Sequence, residues 1–258
     1  MQEWLKDDKK QLDLPEQAGL IAAIGLHESD LPEILVHDFR RNGYLPEVLL
    51  NFLALLGWNP GGDRERMTVD ELIQLFSLDR VGVANPKFSR DKLIAFNTEA
   101  CASPPERLLP ALRQYLAAVP ESPLNQASDA DLIRVISIKP GFRTLREIDE
   151  VSRFFFIPDD RVFYAPDAVE KVLRKQQGLV SLREIRPILE SITDWTAANL
   201  DAAVKPYCDQ KQVALGKVAQ PIRVAISGST ISPPIFESLE FLGKSRTLAR
   251  IDRCVSAL

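Results

Sequence analysis

Residues 242–253 read LGKSRTLARIDR, and Arg246, Arg250 and Arg253 stand there at i, i+4 and i+7. In a helix that spacing sets three guanidinium groups on one face. Such a stripe can track a phosphate backbone; its plainer reading is a solvated helix face. Just upstream, AISGSTISPP (225–234) sets one glycine among hydroxyl side chains. Lys244-Ser245 superficially resembles a nucleotide-binding Lys-Ser pair, but no Gly-rich phosphate loop accompanies it and it lies in a helix-like pattern. His27 and His37 are ten residues apart, with no cysteine or third histidine close by. Cys101, Cys208 and Cys254 are far apart. Neither set has the spacing of a zinc site, so no metal site is expected. The carboxylates fall mostly at cap or solvent positions, and no catalytic constellation assembles from them.

The charge is unevenly placed. The chain has a net charge of −4 and a pI near 5.4, which argues against a general nucleic-acid binder. Residues 211–258, however, hold seven basic residues against three acidic ones, an excess of +4, so the remainder carries −8. A basic end on an acidic body is one form of anion-binding surface. The start, MQEWLKDDKK, alternates in charge and has no apolar signal core. No apolar stretch approaches the ~20 residues of a membrane span. Unpaired cysteines fit a reducing cytosol, and a cytoplasmic location with no membrane partner is expected.

The elements that would position these groups are helices. Thr68-x-x-Glu71, Ser128-x-x-Asp131, Thr144-x-x-Glu147 and Ser181-x-x-Glu184 match capping boxes ahead of apolar runs. After Ser181, Ile185, Ile188, Leu189 and Ile192 share one helical face; Ala197, Leu200, Val204 and Tyr207 repeat the spacing. PPERLLPALRQYLAAVP (104–120) is a helix fenced by prolines. In GYLPEVLLNFLALLGWNPG (43–61), Pro46 suits the first helical turn, Gly57 the residue after the end, and Pro60-Gly61 stops continuation. Its apolar run from Val48 to Leu56 predicts a helix buried all round, Leu53 included. PIRVAIS (221–227) alternates for a few residues, too little for a sheet. The expected fold is mainly α.

Several stretches, taken in order, carry a resemblance. HDFRRNGYLPEVLLNFLALLGWNPG (37–61), MTVDELIQLFSLDRV (67–81), NPKFSRDKLIAFN (85–97) with Phe88, Lys92, Leu93 and Asn97, SRFFFIPD (152–159) and LGKVAQPIRVAISGSTISPPIFESLEFLGKSRTLARIDR (215–253) together resemble the bacterial glutamyl-tRNA synthetases, a class I family. The resemblance runs collinearly through roughly the last 220 residues, far beyond any single motif. It implies a connecting helical domain (1–102) followed by two all-helical anticodon-binding subdomains (103–177 and 178–258). The fenced helix would be core of the connecting domain. The family's catalytic nucleotide-binding fold, with its HIGH-type and KMSKS-type motifs, has no counterpart in this sequence. The resemblance therefore implies no catalytic residues and no cofactor here, ATP and Mg belonging to the complete enzyme. The chain alone would be inactive.

The resemblance also implies site residues. Arg223 would contact the anticodon loop, Gly228 would allow a tight turn, and Ser232, Pro233 and Ile235 would form the surface for the bases. Arg143, Arg246, Arg250 and Arg253 would be secondary tRNA contacts. In KPGFRTL (139–145), Gly141 stands where family members commonly carry an arginine tied to the third anticodon base, so discrimination between glutamate and glutamine anticodons is open. The implied partner is tRNA, tRNA-Glu first, together with a catalytic domain in the same chain or separately encoded. A free-standing tRNA-binding module and a helical scaffold without RNA binding remain open as alternatives.

Overall fold

The computed structural model describes residues 23, 35–82, 86–139 and 141–258. The sequence readings on His27, Asn85 and Pro140, and on the chain start, lie outside these residues. The chain divides into a unit ending at Phe39 and a unit from Arg40 to Leu258; the second holds every candidate site residue. Its helices are α1 (Pro46–Ala54), α2 (Val69–Leu75), α3 (Arg90–Cys101), α4 (Pro105–Ala117), α5 (Asp129–Ile138), α6 (Leu145–Ser152), α7 (Gly178–Ser191), α8 (Ala197–Lys211), α9 (Leu215–Ser227), α10 (Ile235–Leu242) and α11 (Lys244–Ala257). A π-helix, Val169–Lys175, precedes α7. The described residues contain no strand, only an isolated bridge between Trp58 and Val81, so the expected mainly α class is what they adopt.

The caps form where the sequence places hydroxyls. Thr68 and Glu71 close a reciprocal capping box on α2. Ser128 and Thr144 accept from the third backbone N–H of α5 and α6. Each such cap stabilises its helix by about 1 kcal/mol. The Ser181 box is not used: α7 begins three residues earlier, after Gln177 in a left-handed conformation at φ 56°. Gly178 permits that start, because a Cβ there would lie 2.5 Å from the Val172 carbonyl oxygen.

Three packed regions follow in order. α1 packs on α3 through Phe52 and Phe96, whose rings meet edge-on at 6.1 Å. α4 packs on α5 and α6 over Leu112, Leu116, Leu132 and Ile148, all fully buried. α7 lies against α8, α9 and α11 around Leu182, Ile185, Leu189, Leu200, Val224 and Ile251. PIRVAIS is helical within α9, where Ile222, Val224, Ala225 and Ile226 are buried on a wide face.

α1 corrects one expectation. Val48, Asn51 and Phe52 are buried, whereas Leu50 and Leu53 are 47% and 45% exposed. The helix has one inward face rather than burial all round. It also closes at Ala54, and Gly57 is not left-handed. On α2, Val69 and Ile73 at i and i+4 face outward, and Phe76, Leu78 and Val81 after it are also exposed.

Candidate nucleic-acid interface

The turn between α9 and α10 is folded by its own hydroxyls. α9 ends at Gly228, φ 76°, whose N–H donates to the Val224 carbonyl at 2.8 Å. The Gly228 carbonyl accepts from the Ala165 N–H at 2.9 Å. A Cβ on Gly228 would stand 1.8 Å from the Phe163 carbonyl oxygen, so only glycine fits both the backbone angle and the space. The Ser227 hydroxyl accepts from the Ser229 N–H at 3.2 Å, and the Ser229 hydroxyl from the Ile231 N–H at 3.1 Å. These side-chain bonds replace the helix ladder that the glycine ends. Ile231, 68% exposed, is left projecting from the turn.

Arg223, in the last turns of α9, reaches across to this loop. Its Nε donates to the Ser232 hydroxyl at 2.8 Å, and Ser232 donates onward to the Pro233 carbonyl. Burial lowers the Arg223 pKa from its ordinary value, and no opposing carboxylate contributes. The surface ion pair that is the ordinary role of such an arginine does not form among the described residues. A half-buried guanidinium held by one neutral hydroxyl keeps its terminal amino groups for an anion or a base edge.

The other predicted residues separate into two groups. Pro233 and Ile235 are buried, Ile235 to 7% exposure. They lie beneath the turn with little exposed surface, and Ser232 is the member of the set at the rim. Arg143 is exposed, its guanidinium 3.7 Å from Glu147. It stands two residues after Gly141, whose φ of 78° would strain any side chain placed there.

The C-terminal arginine stripe exists but faces inward. Arg250 is fully buried, donating to Asp159 Oδ1 at 2.7 Å, the Ile226 carbonyl at 2.5 Å and the Ile157 carbonyl at 3.0 Å. Arg246 donates to Asp159 at 2.9 Å and to the Phe155 and Ile157 carbonyls at 2.8 and 2.7 Å. Arg253 donates to the Val162 carbonyl at 2.9 Å and lies over the Tyr164 ring. These three clasp the segment 155–162 onto α11. A stripe that tracks phosphate needs free guanidinium groups, so the phosphate reading of Arg246, Arg250 and Arg253 is corrected. Lys211 and Lys244 are likewise engaged, by Glu184 and the Ile192 carbonyl.

Asp159 and Phe163 escaped the sequence reading. Asp159 sits inside a quoted motif, but only its packing against α11 gives it a role. Phe163 is 77% exposed. The alternation in VFYAP (162–166) could have raised the question of which aromatic faces out, but not answered it. Among the described residues no group of His, Cys, Asp and Glu could hold a metal ion, and no helix is long and apolar enough to cross a membrane.

Comparison with known proteins places this geometry. Residues 106–255 match the family model described as the anticodon binding domain, and residues 31–95 match that of the catalytic domain of class I tRNA synthetases (E and Q). The glutamate–tRNA ligase of Thermodesulfovibrio yellowstonii is 37% identical over 266 residues, spanning 94% of this chain and 56% of that protein. A Thermus thermophilus glutamate–tRNA ligase is 36% identical over 226 residues, 84% of this chain and 46% of its own. The chain thus spans about half the length of the curated relatives it matches. A crystal structure of a glutamate tRNA ligase from Elizabethkingia meningosepticum, in complex with its amino acid, shares the fold over 99% of this chain and 56% of its own, with a TM-score of 0.69 and 22% identity. The chain belongs to the anticodon-binding-domain family, and it is homologous to the region of glutamate–tRNA ligases that carries that domain.

Proposed function

We propose that the chain binds the anticodon loop of a tRNA, tRNA-Glu first, through Arg223 and the α9–α10 turn. In doing so it serves ATP-dependent attachment of glutamate by a glutamate–tRNA ligase in the cytoplasm. The observation that carries this reading is Arg223: half-buried, without a carboxylate, and aimed at a turn whose hydroxyls and exposed Ile231 suit unstacked bases. Residues 1–102 act as the connecting domain, 103–177 and 178–258 as the two anticodon-binding subdomains. ATP and Mg are handled by a catalytic domain, in the same chain or separately encoded. The outward apolar row Val69, Ile73 and Phe76, within the stretch that matches the catalytic-domain model, supports packing against such a domain. Arg143 is the second candidate contact, exposed and only loosely paired.

Titrating an anticodon stem-loop and an unrelated hairpin at two salt concentrations tests this reading. Arg223→Ala should weaken the stem-loop about 5- to 100-fold, as expected for a lost base contact, and affect the unrelated hairpin less. With so many C-terminal cations turned inward, the log–log salt slope should be shallow, about −1 to −2. A second reading, a helical scaffold without RNA binding, draws on that same inward charge; it takes over if the wild-type chain binds neither RNA at low salt.

A further inference from the structure

A cleft of about 580 Å³ opens between the segment 162–166 and the π-helix. Two observations give it chemistry. Phe163 lines it and is 77% exposed, beside the buried Val162, although a phenylalanine side chain is ordinarily buried. Arg174, whose side chain is more than half exposed, brings a guanidinium group to the cleft, paired with Glu170 only at 3.8 Å. An open aromatic face beside a guanidinium group is the combination that holds unpaired nucleotides: the ring stacks the base and the cation meets the phosphate. The cleft also adjoins the α9–α10 turn, because the Phe163 carbonyl fills the space a Gly228 side chain would need.

We propose that this cleft is a stacking subsite for one unpaired loop nucleotide of a bound RNA, with the base on Phe163 and its phosphate on Arg174. The proposal rests on the RNA-binding reading and extends its site across Gly228. The RNA loop would then be gripped at two points, Arg223 and Ser232 on one side and Phe163 on the other. The π-helix fits this role, since such segments recur where a fold shapes a ligand site.

The test uses the full chain and an anticodon stem-loop carrying 2-aminopurine at one loop position at a time. With the wild type, one position should be quenched on binding by stacking against Phe163. Phe163→Ala should abolish that quench and weaken binding about tenfold, Phe163→Trp should keep both, and Arg174→Glu should weaken binding with the quench retained. Phe163 is exposed, so the thermal midpoints of its variants should match the wild type. If Phe163→Ala changes neither quench nor affinity while Arg223→Ala still weakens binding, the subsite is wrong and the wider reading stands. If the wild type binds no stem-loop, both fall together.

Discussion

At the residue scale, the same side chain serves opposite ends according to what faces it. Arg223 and Arg250 both lie in the C-terminal bundle, and burial lowers the pKa of each. Arg250 spends its donors on Asp159 and two carbonyls, whereas Arg223 has one hydroxyl. Arg250→Met should therefore destabilise the fold by about 1–3 kcal/mol in urea denaturation, because it takes the arginine donor from the buried Ile226 carbonyl and leaves Asp159 to Arg246 alone. Arg250→Lys should recover little of this, since an ammonium cannot reproduce the fork. A loss below about 1 kcal/mol for Arg250→Met would show that the clasp contributes little. Gly228→Ala meets both a left-handed backbone and the Phe163 carbonyl; it should cost upwards of about 2 kcal/mol, combining the αL penalty with the clash.

At the scale of elements, helices were legible and the direction they face was less so. Hydroxyl caps and i, i+4 spacing are local, and the sequence located α5, α6, α8 and α11 by them. The direction of an apolar residue depends on what packs against it, which spacing alone does not encode. Leu53 and Phe52 are neighbours in the same greasy run, yet one is 45% and the other 2% exposed. Phe52→Ala should cost about 3–5 kcal/mol. Leu53→Ala should stay within about 0.5 kcal/mol, as surface changes do; parallel denaturation curves of the two variants would settle the orientation of α1. The same limit applies to the arginine stripe: its periodicity was readable, but its inward aim required Asp159 and the carbonyls of a segment some 90 residues away. The start of α7 was missed because a close approach between backbones, at Gly178 and Val172, overrode an adequate capping box at Ser181.

At the scale of the whole molecule, the clasp joins segment 155–162 to the last helix, and its charge makes that join sensitive to acid. Burial pushes the Asp159 carboxyl up, but hydrogen bonds from Arg246 and Arg250 outweigh it and hold the pKa below its usual value. A lowered carboxyl contributes stability that is fully present above about pH 4, the unfolded value, and is lost as pH falls through the lower folded value. The stability difference between wild type and Asp159→Asn should thus be constant from pH 7 to about 5 and shrink in strongly acidic solution, as followed by urea denaturation at several pH values. A difference that does not change with pH would assign the role of Asp159 to shape rather than charge. The clasp has one more property. Its arginines grip Phe155, Ile157 and Val162 by their backbone carbonyls, which every amino acid possesses. Pro158, Asp160 and Arg161 meanwhile point to solvent. The grip itself is therefore indifferent to the side chains of Phe155, Ile157 and Val162, although burial holds Phe155 and Val162 in identity as well. In a saturation scan, Asp159, the three arginines and the buried Phe155 and Val162 should stand as intolerant positions, while Pro158, Asp160 and Arg161 drift in sequence along a path through space that stays the same.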